Sequence, residues 1–317
     1  MQAQFDSSRG FGVEIETAVT RNHDPRSIAI ALQDAGIPAV STSGHTTRTE
    51  WKVVPDGSTG SEIVSPILYG EDGLNQIKAV CEVLRSIGLR VDSTTGLHVH
   101  HDASNLTARQ FAGAMYLYAK AYSFMNSLLP TRVGRSWCRP LSLNTLRYNY
   151  DNMVRGNGSA KYMMSGCTCG INRSHYCTHR YYATNPCNAN GTGTLEFRQH
   201  SGSLNGTKIA SWVVFTQSFI NAACVRNIDS SEMVSQNPDA EHLMWLLGRD
   251  TNCEITKSAR RNIVRRVHVN FPDIDLGNAK RYLTSEQRRH LRSRSAAAAA
   301  PRLTGRMDIV TGRITWD

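Results

Sequence analysis

The sequence predicts an α+β fold, in which the strands of a sheet each carry one apolar and one ionisable side and helices pack on the apolar face. Three stretches carry that prediction. In Phe11-Gly12-Val13-Glu14-Ile15-Glu16, in Gly96-Leu97-His98-Val99-His100-His101-Asp102 and in Thr194-Leu195-Glu196-Phe197-Arg198-Gln199-His200, apolar and ionisable residues alternate. Successive strand side chains point to opposite faces. Glu14 therefore shares a side with Glu16, His98 with His100, and Glu196 with Arg198 and His200. Such alternation ordinarily means a solvated sheet face. Here the polar faces are almost pure Glu, His and Arg. Carboxylates crowded in this way must take up protons or bind cations. A carboxylate set with an occasional imidazole suits Mg²⁺ or Mn²⁺ better than zinc.

The elements follow in order. A first strand at about Gly10 to Thr20 leads to a helix with Asp24 as N-cap and Pro25 at its first position. Its stripe of Ile28, Leu32 and Ala35 stops at Gly36. Short strands follow at Ile37 to Ser41, from Glu50 into the Pro55-Asp56-Gly57 turn, and at Glu62 to Pro66. Leu74, Ile77, Val80, Cys81 and Leu84 form the buried stripe of a helix from about Glu71 to Ile87 that stops at Gly88. A strand at Leu89 to Val91 and the His-x-His strand come next. Thr107 caps a helix to Leu129, apolar nearly all round and closed by Pro130. Periodicity weakens between Thr131 and Thr192, as in functional loops. After the Glu-x-Arg strand, helices are expected at about Thr207 to Ile228, Asp239 to Leu247, Ser258 to Val269 and Ser285 to Ala300.

Composition narrows the function classes. The 317 residues carry a net charge of +10 and are 40% hydrophobic, enough for a substantial core. No apolar run of about 18 residues exists, so no membrane span is expected. The polar stretch Met1 to Gly10 lacks the apolar region of a signal peptide, which predicts a cytoplasmic protein. Eight cysteines in such a chain read as reduced thiols rather than a disulfide scaffold. From Glu254 onward there are 14 Lys and Arg against 6 Asp and Glu, so the basicity belongs to the tail.

The ordered set of motifs has a counterpart. Phe11 to Glu16, Lys52 with Asp56-Gly57-Ser58, Glu62-Ile63-Val64-Ser65-Pro66, and Gly96 to His100 come first. Arg132 with Trp137-Cys138-Arg139-Pro140, Tyr182-Ala183-Thr184-Asn185, and Gly193 to Gly202 complete it. In this order, from about Gly10 to Val225, they resemble the putative amidoligase family, which is similar to glutamine synthetase and glutamate-cysteine ligase. That resemblance implies a curved antiparallel sheet and ATP-dependent amide formation through an acyl phosphate. Its substrates would be ATP, a carboxylate and an amine. It also implies roles. Glu16 and Glu62 would hold one Mg²⁺ (or Mn²⁺), and Glu14, His98 and Glu196 a second on the ATP phosphates. Arg198 would steady the migrating phosphoryl group, with Lys52 and His100 beside the nucleotide. Glu16, Glu62 and Arg198 form the catalytic set, and Arg132, Asn185 and His200 are candidates for the acceptor carboxylate or amine. Residues 1–253 would form the catalytic domain, with a Cys-rich insertion at about 147–192. Residues 254–317 would form a basic, mainly helical, partly mobile extension.

Two features fall outside the motif set. Cys167, Cys169, His175, Cys177, His179 and Cys187 are crowded enough for a structural zinc, but no C-x₂-C pair occurs, and free thiols are the preferred reading. In the tail, Lys257, Arg260, Arg261, Arg265 and Arg266, and again Arg288, Arg289, Arg292 and Arg294, recur at helical spacing. Such faces are usually solvated, though clustered basic charge also suits a polyanion partner. Two other functions compete with the ligase: a two-metal hydrolase of a phosphoester or amide, and a nucleic-acid-associated protein that uses the tail.

Overall fold

The computed structural model describes residues 5–44, 49–122, 125, 128–141, 181–186, 193–225, 253–270, 305–307 and 314–316. Seven strands form one open sheet: β1 (Phe11–Thr17), β2 (Ala39–Ser41), β3 (Trp51–Pro55), β4 (Ser61–Val64), β5 (Gly96–Asp102), β6 (Thr184–Asn185) and β7 (Thr194–Ser201). Their spatial order is β2-β3-β4-β1-β5-β7-β6, antiparallel throughout except for the β2–β3 pair. Among the described residues the named α-helices are α1 (Pro25–Asp34), α2 (Gly70–Ser86), α3 (Ala108–Lys120), α4 (Gly206–Val225) and α5 (Glu254–Asn270). Among the described residues no helix is long and apolar enough to cross a membrane.

The helix ends follow the local chemistry of the sequence. Asp24 and Ser27 form a capping box, with the Ser27 N–H donating to Asp24 Oδ1 at 2.7 Å and the Asp24 N–H donating to Ser27 Oγ at 3.0 Å. Thr107 and Gln110 do the same for α3. Gly36 (φ 78°) and Gly88 (φ 84°) close α1 and α2 in the left-handed region. The Ile37 and Leu89 N–H groups then reach back to Leu32 O and Leu84 O at 2.9 and 3.0 Å. That last bond explains a difference from expectation. Leu89 to Val91 form no strand, because Leu89 is spent on the cap of α2 and buried beneath it. The expected helix to Leu129 is also divided: α3 ends at Lys120 with Ala121 as its C-cap, and helical bonds resume from the Met125 N–H to Ala121 O and from the Leu129 N–H to Met125 O.

The core lies between the sheet and the helices. Phe11, Val13 and Ile15 of β1, Leu97 and Val99 of β5, and Leu195 and Phe197 of β7 are all buried. Tyr118 of α3 meets both Phe197 of β7 and Phe219 of α4 edge-on, with ring centroids 5.2 Å apart in each contact. His101 belongs to this layer. Its Nε2 lies 2.8 Å from Thr216 Oγ1, and burial pushes its pKa down to about 3, so it is neutral. α4 is buried nearly all round and packs against α2, α3 and α5. A helix buried in this way and flanked by three others is central to the packing.

The start of the tail is tied to this core. Ala259, Ile263 and Val264 of α5 are buried, and Thr256 Oγ1 accepts from the Phe5 N–H at 3.2 Å. Its basic residues are not a uniform solvated stripe: Arg260 is buried, Arg266 Nη1 lies 2.7 Å from His200 Nε2, and Lys257 pairs with Glu254 at 2.8 Å. Beyond α5, Gly305–Met307 and Ile314–Trp316 pair as a two-stranded antiparallel ribbon, β8 and β9, in a tail expected to be mainly helical. The helices expected at Asp239 to Leu247 and Ser285 to Ala300, the Arg288 to Arg294 cluster, and most of the Cys-rich insertion lie outside the described residues.

α4 approaches α2 closely at Gly206, where a Cβ would stand 2.5 Å from Lys78 Cα. Ala is the better helix former, but here it must force two backbones apart. Gly206→Ala is therefore expected to lower stability by about 1–3 kcal/mol. Thermal unfolding checks this, and an unchanged or raised midpoint would contradict the α2–α4 contact.

Candidate active site

Strand pairing gathers the ionisable residues on the sheet face away from the helices. β1 lies between β4 and β5, so Glu16 stands opposite Glu62 and Glu14 opposite His98. On the far side of β5, His100 stands opposite Glu196 of β7. The resulting contacts are short. His98 Nδ1 is 2.8 Å from Glu14 Oε2 and 3.6 Å from Glu196 Oε1, and His98 Nε2 is 3.6 Å from Glu16 Oε1. His100 Nε2 is 3.1 Å from Glu14 Oε1. Three overlapping triads, Glu14/Glu62/His98, Glu14/His100/Glu196 and Glu16/Asp56/Glu62, each place one donor atom per residue within 4.8 Å of the others.

Two assignments differ from the sequence reading. His100 joins Glu14 and Glu196 directly, rather than standing only beside the nucleotide. Asp56, read in the sequence as part of a turn and of the motif set but given no ligand role, joins Glu16 and Glu62. Its Oδ1 accepts from the Ser58 and Thr59 N–H groups at 2.6 and 3.0 Å. The hairpin register held the missing signal. Val54 stands opposite Glu62, so Asp56, two residues on, continues along the same face.

The electrostatics follow from the crowding. Burial, and then the charges of Glu14, Glu16, Asp56 and Glu196, push the Glu62 carboxyl up to about 9. Burial works in the same direction on Glu14, but His100 and His98 outweigh it and hold Glu14 well below the usual carboxylate range. Glu196 is likewise lowered against burial, chiefly by Arg198, to which it is directly paired. The same neighbours raise His100 and Arg198 against the burial that opposes their charge. Glu62 is thus the carboxyl that carries a proton at neutral pH.

Cationic and polar groups border the cluster at both ends. Lys52 is buried on the same face, opposite Val64, and lines a cavity of about 330 Å³ with Glu14, His100 and Thr194. At the other end Arg132 is 2% exposed, with Nη2 3.4 Å from Arg198 O and its guanidinium over the Trp137 ring. A Cβ on Gly96 would come within 3.2 Å of Arg132 Nη2, 3.2 Å of His98 Nε2 and 3.3 Å of Glu16 Oε2, so a side chain here would crowd the point where these groups converge. Asn185 Nδ2 donates to Glu196 Oε2 at 2.6 Å, which makes it a positioning residue for that carboxylate. Cys138 is a packed thiol raised by burial.

His200 is not part of this face. The β5–β7 register shifts between Leu97 and Val99, so Phe197 opposes Val99 while His200 opposes Leu97. That irregularity breaks the strict alternation on which the sequence reading rested. Gln199 accepts from Tyr118 Oη at 3.0 Å, and His200 packs on Trp212 with centroids 5.0 Å apart, so both turn toward the helices. Glu196 and Arg198 remain on the open side. Cys167, Cys169, His175, Cys177, His179 and Cys187 lie outside the described residues.

Comparison with known proteins agrees with the motif order. No curated protein matches the chain. A family described as putative amidoligase enzyme matches residues 7–220, about two thirds of the chain. Because the match begins just before β1, ends within α4 and encloses every strand of the site, the chain belongs to the putative amidoligase enzyme family.

Proposed function

We propose that the chain is an ATP-dependent carboxylate–amine ligase working through an acyl phosphate. One observation carries the reading: five carboxylates and two imidazoles meet on one sheet face, with Lys52 bordering them at one end and Arg132 at the other. The donor set is rich in oxygen, contains imidazole and lacks thiolate, which fits Mg²⁺ or Mn²⁺. Glu16, Asp56 and Glu62 would hold one cation, and Glu14, His98, His100 and Glu196 would serve a second. Bound there, divalent cations supply the positive charge that offsets the phosphate oxygens.

The chain's own residues fill the remaining roles. Lys52, in the cavity beside Glu14 and His100, takes the nucleotide phosphates. Arg198 already faces a carboxylate and is charged at every relevant pH, so it suits the transferring phosphoryl group. Arg132, beside Gly96, takes the acid substrate. An oxygen of that acid attacks the γ-phosphorus and the bond to the β-phosphate oxygen breaks, leaving ADP and an acyl phosphate. The amine nitrogen then attacks the acyl carbon, the carbon–oxygen bond to phosphate breaks, and a carboxylate of the cluster receives the amine proton. A hydrolase built on the same cluster would differ in requiring no nucleotide.

Incubation with ATP, Mg²⁺ and a panel of carboxylates and amines should release phosphate only when an acid and an amine are both present. Glu16→Gln and Arg198→Ala should each lower that rate by about 100-fold or more. Metal-dependent cleavage of an ester or amide without ATP would overturn the ligase in favour of the hydrolase.

The protonated Glu62 links metal to pH. Its pKa rises from 4.5 to about 9 on folding, so without metal the folded chain holds a proton that the unfolded chain releases. Stability from this group is full below pH 4.5 and is lost as pH climbs toward 9. Glu62 would have to give up this proton to hold a divalent cation, which would reverse the trend. The gain in unfolding temperature on adding Mg²⁺ or Mn²⁺ should therefore be larger at pH 8.5 than at pH 6, and Glu62→Gln should flatten that difference. An equal gain at both pH values in the unsubstituted protein would contradict a cation at Glu62.

A further inference from the structure

We propose that Tyr69 and Ile67 form the base-binding end of the nucleotide site, stacking on the base of the triphosphate whose phosphates reach Lys52 and the carboxylate cluster. The inference rests on the ligase reading and adds to it the residues that would recognise the nucleoside. It begins from two large apolar side chains left in water. Ile67 is 56% exposed and Tyr69 53%, while Leu68 between them is buried in the core. A bridge between Phe11 and Leu68 sets this phase, since it turns Leu68 toward the helices and its two neighbours toward the open face.

Both side chains line the same 330 Å³ cavity as Lys52, Glu14 and His100. The cavity is thus apolar and aromatic at one end and cationic at the other, next to the candidate metal ligands. A flat aromatic base joined to a polyanion has that polarity. The floor between the two ends is bare. Gly12 stands opposite His100 and presents no side chain, and Gly10 precedes it on the same side of the chain. A Cβ on Gly10 would come within 3.0 Å of Ile67 Cγ2 and 3.3 Å of Tyr69 Cε1, so both side chains lie across its backbone. Along one face the sequence therefore reads Gly10, Gly12, Glu14, Glu16: a glycine beneath Ile67 and Tyr69, a position without a side chain, then two candidate ligands.

The test compares a nucleotide with its phosphates alone. Binding of the non-hydrolysable analogue AMPPNP and of inorganic tripolyphosphate, both with Mg²⁺, is measured by calorimetry on the full chain and on Tyr69→Ala and Tyr69→Phe. The unsubstituted protein should bind AMPPNP at least tenfold more tightly than tripolyphosphate. Tyr69→Ala should weaken AMPPNP by about 10–100-fold, the range expected for loss of one stacked base, and leave tripolyphosphate unchanged. Tyr69→Phe, which keeps the ring, should retain tight binding. Equal affinity of the unsubstituted protein for both ligands, or unaltered AMPPNP binding by Tyr69→Ala, would overturn the base site while leaving the phosphate and metal assignments standing. Failure of the unsubstituted protein to bind either ligand would overturn the nucleotide reading itself.

Discussion

Mutual repulsion among carboxylates sharing one face of a sheet is the constraint to which the rest of the structure answers. Glu14, Glu16, Glu62 and Glu196 come from three strands and Asp56 from a turn, and no arrangement of strands alone makes their proximity favourable. Imidazoles between them, Arg198 against Glu196 and a proton on Glu62 relieve the repulsion in the protein by itself. The opposite face supplies what this one withholds. The aromatic layer of Tyr118, Phe197, Phe215 and Phe219 and the buried length of α4 provide the apolar burial that holds a destabilised face in place.

Topology explains why distant segments meet. β1 pairs with both β4 and β5, so two glutamates on one strand find partners on either side, and β7 adds the fourth glutamate by pairing with β5. Antiparallel pairing places these residues directly opposite one another, the closest arrangement a sheet allows. The β5–β7 irregularity divides labour along β7. Before it, Glu196 and Arg198 face the cluster; after it, Gln199 and His200 serve the helix interface. Arg266 of α5 reaches His200 from beyond the expected end of the catalytic unit, so the first turns of the tail contribute to the packing behind the sheet.

The site has two ends of different chemistry. Toward Lys52 lies a cavity with Gly12 in its lining, and toward Arg132 lies Gly96, where a side chain would crowd Arg132, His98 and Glu16. In the proposed reaction these ends separate nucleotide from acid, so that the two reactants meet over the carboxylates between them. Binding at each end then contributes to alignment in the middle, where transfer is sensitive to the approach of the reacting atoms.

Much of this was legible in the sequence because it depends on short-range regularities. Period-2 alternation marked the faces of β1 and β5, Asp24 and Thr107 marked helix starts, Gly36 and Gly88 marked stops, and the ordered motifs pointed to the family. What only the tertiary structure decided are the departures from periodicity and the pairings across strands. Asp56 joins the cluster because a hairpin register carries it there, and His200 leaves because an irregularity in strand pairing reverses its side. Leu89 caps a helix instead of extending a strand. A residue's local pattern states which way its neighbours alternate; which strand lies opposite, and where one extra residue breaks the phase, is settled by long-range packing that no window of sequence contains.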